Sequence, residues 1–428
     1  MTTIGVLGGR WRASLTPWGA IEPWDESPTL DWYVAADDRW HTPSGEAAVR
    51  QTRVDGTCVV ETRVRIPDGD AVQRVWSVPD AGGLTLIEIE NSSPLPIAVA
   101  FSHGRLLTVR PPSAPIEGID LPSGSVAFPV GHHATLLVAL PHTLAAPGTL
   151  PGGLPPIAAV VRGWTATVER ASRLLTPEPR WNERVVSERC ELALAGPAHP
   201  DDDPVGFLLG VAQVVRMGER ADALAPDVAH TLEVAAKQAA RHGGGEWSLA
   251  AAIDGVDTVF ASLGDQRARR DLAALRSQLK FDATLPDEEP ADGARFLAWI
   301  ERRLALPEAG GADLLPAGLP IGWRGANFEV YSVPTGGESS VSMAVRWHGS
   351  RPAVLWEQTG VPVRLRASEV APAWSTSDVK GETLWPEPSG APVPTATATS
   401  SAGPSADGSS TDGPSTISPS FNEGGSFS

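Results

Sequence analysis

Lysine is almost missing from this 428-residue chain, occurring only at Lys237, Lys280 and Lys380, and acidic residues outnumber basic ones by 51 to 34. The formal charge of -17, with no clustered basic stretch to offset it, argues against nucleic-acid and anionic-membrane partners, because a polyanion is repelled by such a field. Cysteine is equally scarce. Cys58 and Cys190 lie too far apart in sequence to indicate a disulfide framework, so both are expected as buried thiols. Long hydrophobic runs are lacking too. No stretch approaches the ~18 apolar residues of a membrane span, and MTTIGVLGGRWRAS has no signal-peptide core. The expectation is a cytoplasmic protein with no membrane partner.

Several chemistries lack their residues. LGGR at positions 7 to 10 has neither the length nor the Lys-Ser/Thr ending of a phosphate loop, and no serine sits in a G-x-S-x-G elbow. His132 and His133 are adjacent and point to opposite sides of a strand, while His103, His142 and His199 lack ligand spacing. Asp201, Asp202 and Asp203 read as a helix start. No metal and no cofactor are expected.

What the chain does have is tryptophan, 15 residues against 9 Phe and 2 Tyr. An indole presents a flat face to the C–H side of a sugar ring and an N–H to a hydroxyl, and it equally fills space between packed layers. Trp11, Trp18, Trp24, Trp32 and Trp40 fall close together among acidic residues, either as covering flaps or as the lining of a cleft.

The pattern of apolar residues divides the chain. Residues 1–170 alternate with period two, the signature of half-buried strands, and suit an antiparallel β-sandwich. Thr57 to Ile66 and Ala71 to Val78 flank a turn containing Asp68 and Gly69, and Leu84 to Glu90 and Leu95 to Phe101 read as a second hairpin across Asn91 to Pro94. From 178 to 310 the period becomes 3.6. About six helices follow, among them one capped by Asp203 with Pro204 at its first position and one capped by Asp265. Short connections predict antiparallel α-hairpins. Residues 319–385 return to strands, with Val341 to Trp347, Pro352 to Trp356 and Val361 to Ala367 reading as a C-terminal β meander. Residues 388–428, rich in Ser, Thr, Pro and Gly, have too few apolar groups to fold and are expected to be disordered. The fold class expected is therefore α+β multidomain.

The order sandwich, helical hairpins, short β segment resembles the layout of the six-hairpin glycosidase superfamily, the glucoamylase- and trehalase-like group. TRVDGTCVVETRVRIPDGDAVQRVWSV and LTLIEIENSSPLPIAVAF are similar to the paired hairpins of the supersandwich that precedes its helical barrel, and the similarity of layout spans residues 4–385. The resemblance implies a carbohydrate ligand and, for an active inverting enzyme, two carboxyl groups roughly 6.5–9.5 Å apart. The helical region here holds about half the helices of a closed ring, which implies an open groove or a plain bundle.

On that resemblance the candidate catalytic carboxylates are Glu246, beside Trp247 in HGGGEWSL, with Glu329 or Asp313 as partner; Glu338 and Glu357 are further alternatives. Trp24, Trp32, Trp247 and Tyr331 are the candidate substrate-binding rings. Glu246 also suits a helix start with no chemistry attached. The expected function is a glycosidase-like protein that contacts carbohydrate, with or without turnover. The alternatives are an active inverting glycoside hydrolase and a non-enzymatic scaffold for another protein.

Overall fold

A computed structural model describes residues 1–113, 116–143 and 148–388. The expectation for the tail concerns residues outside that described set. The α+β layout is present, with mostly antiparallel sheets around a helical region.

The N-terminal half is a β-sandwich. Its larger sheet has seven strands in the order Gly148–Thr149, Leu107–Thr108, Thr135–Pro141, Leu84–Asn91, Gly69–Val78, Val60–Ile66, Arg50–Arg53. The facing sheet has four: Val126–Val130, Ile97–Phe101, Trp32–Ala35, Trp40–His41. Alternation explains the stacking. Val60, Val64, Ile87 and Ile89 of one sheet meet Trp32, Val34, Val99 and Phe128 of the other in one shared core. A three-stranded sheet, Thr2–Gly5, Arg12–Leu15 and Ile21–Pro23, adds Ile4, Ala13, Leu15 and Ile21 to it.

One sequence expectation is corrected by the pairing here. Leu84–Asn91 and Ile97–Phe101 do not form a hairpin: the first pairs with Gly69–Val78 and Thr135–Pro141, the second with Trp32–Ala35 and Val126–Val130. Residues 92–96 therefore carry the chain from one layer to the other. Asn91 holds the crossing, its side-chain amide donating to the carbonyls of Leu95 and Gly131 at 2.8 and 3.0 Å. Where the hairpin is real, Ile66 pairs with Gly69, and Asp68 takes φ +56° in the two-residue loop. Gly69 is required by packing, since a Cβ there would stand 2.7 Å from the Ser93 Cα.

Seven helices follow among the described residues: α1 Ile157–Val168, α2 Pro179–Ala195, α3 Pro204–Arg216, α4 Ala225–Arg241, α5 Trp247–Ser262, α6 Gln266–Gln278 and α7 Gly293–Leu304. Asp203 and Asp265 cap α3 and α6 by accepting from backbone N–H groups of the first turn. Phe207, Val211, Leu232, Ile253, Val256 and Leu272 bury the apolar stripes of α3 to α6 against one another. No helix of the described residues is long and apolar enough to cross a membrane.

The C-terminal strands form two sheets. A five-stranded sheet runs Arg173–Leu175, Phe328–Gly336, Ser339–His348, Arg351–Gly360, Lys380–Leu384. Its first strand precedes the bundle in sequence, so the sheet brackets the helices. The third strand expected of the meander goes elsewhere: Arg364–Arg366 pairs in parallel with Gly311–Leu314 in a separate four-stranded sheet. A single hydrophobic cluster joins Val341, Met343 and Val345 to Trp181 of α2 and Trp299 of α7.

Helix α2 is the common strut. Trp181 and Val185 serve the C-terminal core, Cys190 and Leu194 pack against α1 and α3, and Glu191 pairs with Arg53 and accepts from the Thr3 N–H on the sandwich side. Cys58 and Cys190, both free and buried, meet in this region. Burial, and then the neighbouring Cys190, push the Cys58 thiol well above its ordinary range.

Candidate functional site

A set of ligand-competent side chains lines a groove on the sandwich. Pro23, Asp25 and Ser27 come from the end of the third strand and the turn after it, His103 and Arg105 from the loop after Ile97–Phe101, and His142 from just beyond Thr135–Pro141. Trp11, just before Arg12–Leu15, completes the wall, and the groove measures about 280 Å³.

Trp11 and His142 stack with ring centroids 4.0 Å apart and planes 14° from parallel. The imidazole is fixed on both sides. Its Nε2 shares a 2.9 Å hydrogen bond with Thr85 Oγ1, which bonds in turn to Ser77, and its backbone N–H donates to the Gly83 carbonyl at 2.9 Å. A Cβ on Gly83, which has φ +104°, would lie 2.5 Å from His142 Nδ1, so only glycine allows this seating. Burial, assisted by the Arg12 charge, lowers the His142 pKa to about 4, leaving a neutral ring at pH 7.

His103 is also held neutral, chiefly by burial and then by Arg105, against the opposing pull of the Pro28 carbonyl and Asp31. Its Nδ1 accepts from the Arg105 backbone N–H at 3.3 Å, and its Nε2 is buried. Behind it, burial raises the Asp31 pKa, and Glu22 adds to the effect. At the mouth, Asp25 accepts from the Ser27 N–H at 2.9 Å, and Arg105 is exposed. Two neutral imidazoles, an indole, a carboxylate and a guanidinium thus face one groove. This set offers both acceptors and donors to hydroxyl groups beside a flat apolar wall.

The residues chosen from sequence are placed elsewhere. Glu246 is exposed at the N-cap position of α5, with its side chain making no cap, and Trp247 is half-buried between the bundle and C-terminal cores. Asp313 is 4% exposed and accepts from the Ser368 backbone N–H and hydroxyl, with Arg366 at 3.7 Å. Glu329 accepts from Arg346 through one oxygen and from the Tyr331 hydroxyl through the other. The three carboxylates occupy α5, the strand Gly311–Leu314 and the strand Phe328–Gly336. Asp313 and Glu329 are engaged within their own sheets.

Of the rings, Trp32 is fully buried and donates to the Trp18 carbonyl at 2.9 Å, so it is core. Trp24 is 53% exposed and donates to Ser14 Oγ at 2.9 Å, on the ribbon face opposite Pro23 and Asp25. Tyr331 lies under the Arg173 guanidinium at 5.8 Å. Sequence reasoning missed the groove because Trp11, His103 and His142 are separated by about 130 residues. The Trp-dense segment holding Trp11 was the one available signal.

No protein-family model, curated protein or solved structure matches this chain.

Proposed function

We propose that this protein binds carbohydrate in the sandwich groove without hydrolysing it. The observation that carries the reading is the convergence of the stacked Trp11–His142 wall with Asp25, His103 and Arg105 in one groove. The indole edge and face suit the C–H side of a sugar ring, and the polar groups suit its hydroxyls. The groove lies near the lower end of ligand clefts, roughly 300–1,000 Å³, which fits one or two rings. The layout similar to the six-hairpin glycosidases supports the same ligand class.

Turnover needs a proton-donating carboxyl and a second carboxylate facing it across the substrate. Asp313 and Glu329 are committed to Ser368, Arg346 and Tyr331, and among the described residues Asp25 is the one carboxylate lining the groove. Titration calorimetry of the full chain against a panel of neutral oligosaccharides tests the reading. A saturable heat that Arg105→Ala weakens at least about tenfold, the worth of one charge-assisted hydrogen bond, is expected. Reducing-sugar release by the same sample would overturn the non-catalytic part.

A further inference from the structure

We propose that a second site, a recess between α3, α5, α7 and the strand Phe328–Gly336, binds the anionic group of a small hydroxylated ligand, a carboxylate or a phosphate ester. The recess, about 60 Å³, is walled by Ala212, Ala251 and Ala298, and its polar lining is Gln213, Arg216, Asp254, Thr258, Glu301 and Arg302, both carboxylates being paired with arginine. It opens into a wider groove of about 290 Å³, for the two share Arg216, Thr258, Pro334 and Gly336. A space of the smaller size takes one anionic group or a few waters. The larger one takes the body of a ligand.

Charge bookkeeping in this region does not balance. Arg189 and Arg216 share the carboxylate of Glu301, and Arg276 and Arg302 share that of Asp254. Four guanidiniums against two carboxylates leave a surplus of two positive charges, 4 − 2, inside a chain whose net charge is -17. The surrounding groups leave that surplus unchanged. Glu169, which faces Arg189, is paired with Arg173 at 3.2 Å. At the rim, Arg269 pairs with Asp257 and Glu338, for a sum of −1, and Arg170 supplies +1. Arg276 is partly solvated, its side chain 37% exposed, but the positive charge on Arg189, Arg216 and Arg302, with side chains 1%, 13% and 8% exposed, is costly unless something of opposite sign compensates it.

Arg302 identifies where the anion would sit. Its side chain is 8% exposed, Nη1 donates to Asp254 at 2.7 Å, and Nε is buried with no hydrogen-bond partner among the described residues. An unmatched guanidinium edge fits a carboxylate or phosphate through parallel N–H bonds. Burial lowers the Arg302 pKa to about 10, the direction expected of a cation short of counter-charge. Beyond the mouth, Ser332, Ser340 and Thr359 line the wider groove with hydroxyls, beside Gly336, Gly337 and Gly360. These groups suit the hydroxyls of a sugar acid or sugar phosphate.

The test is calorimetric titration of the full chain with D-glucuronate, D-glucose 6-phosphate and D-glucose at ionic strength fixed with sodium chloride. Saturable binding by at least one anion, competed by acetate in the carboxylate arm or inorganic phosphate in the phosphate arm, is expected. Arg302→Lys keeps the charge but loses the fork and should weaken binding at least about tenfold. Thr258→Leu, which narrows the mouth shared by the two spaces, should do the same, and it decides the matter if Arg302→Lys does not fold. Arg105→Ala in the sandwich groove should leave anion binding unchanged, which separates this site from the other. Absence of saturable heat with both anions, or binding unaffected by either recess variant, overturns the proposal.

Discussion

Glu301→Gln removes one charge at nearly constant volume from a buried polar network. Glu301 is 5% exposed and accepts from Ser172, Arg189, Gln213 and Arg216, at 2.8 to 3.0 Å. Burial alone would raise its pKa above 4.5; the charges of Arg216 and Arg189 outweigh burial and hold it at about 2. For Arg189 burial dominates and lowers the pKa to about 10, since Glu301 divides its charge between two guanidiniums. Holding that carboxyl at about 2 rather than 4.5, at ~1.36 kcal/mol per pH unit, corresponds to about 3 kcal/mol of stability at neutral pH. Leaving buried guanidiniums unpaired costs a similar ~3–5 kcal/mol. With an unfolding entropy of ~2.1 cal/mol/K per residue over the roughly 380 described residues, that is a fall in Tm of about 4–6 °C.

The pH dependence follows in sign. A depressed carboxyl contributes stability that is fully present above about pH 4.5 and is lost as pH falls towards 2. Calorimetric melts of the wild type and Glu301→Gln should therefore differ by several degrees at pH 7 and converge near pH 2. A shift below about 1 °C at pH 7, or one of equal size at both ends, refutes the reasoning.

The groove imidazole gives a second pH test. His142 is depressed to about 4, so its contribution is intact above the unfolded value near 6.5 and is lost as pH falls from there to 4. His142→Phe should flatten the stability profile in that window, as read by urea melts. Trp32→Ala should cost ~3–5 kcal/mol because it empties a fully buried site, whereas exposed Trp24→Ala should stay within ~0.5 kcal/mol; chemical denaturation of both variants checks the contrast. Gly69→Ala should destabilise by ~1–3 kcal/mol, because the new methyl has no room against Ser93. Cys58 and Cys190, being buried, should resist a thiol-specific disulfide reagent in the native state and react fully in denaturant.

Local signals in the chain were informative and long-range ones were not. The caps at Asp203 and Asp265 and the stripe of Leu249, Ile253, Val256 and Phe260 mark helices that the structure contains almost to the residue. Val341, Met343 and Val345 alternate as a strand and are buried as one. Sheet membership is a different matter, because period two specifies a face and not a partner. Asn91 to Pro94 has the composition of a turn whether it closes a hairpin or crosses between layers. Val361 to Ala367 likewise fails to reveal that it joins Gly311–Leu314 in parallel. Helix α1 passes unmarked, since β-branched residues such as Val160, Val161 and Thr165 obscure its period and Pro156 precedes it without a side-chain cap.

The candidate site was less legible for the same reason. His103 and His142 have no spacing that suggests a shared groove, and the thiols of Cys58 and Cys190 meet across 132 residues. Conversely, Glu329 beside Tyr331 suits cleft chemistry by sequence, but the pair forms a hydrogen bond within its own strand and an ion pair to Arg346. Trp32 was attractive as a ring among acids and proves to be a wedge between two sheets.

The most direct measurement is a calorimetric titration of the intact chain with neutral oligosaccharides, alongside Arg105→Ala and Asp25→Ala. Saturable binding by the wild type, weakened at least about tenfold in both variants, with no release of reducing sugar, is the expected result. Absence of saturable heat across the panel, or binding indifferent to both substitutions, would contradict carbohydrate recognition in the Trp11–His142 groove.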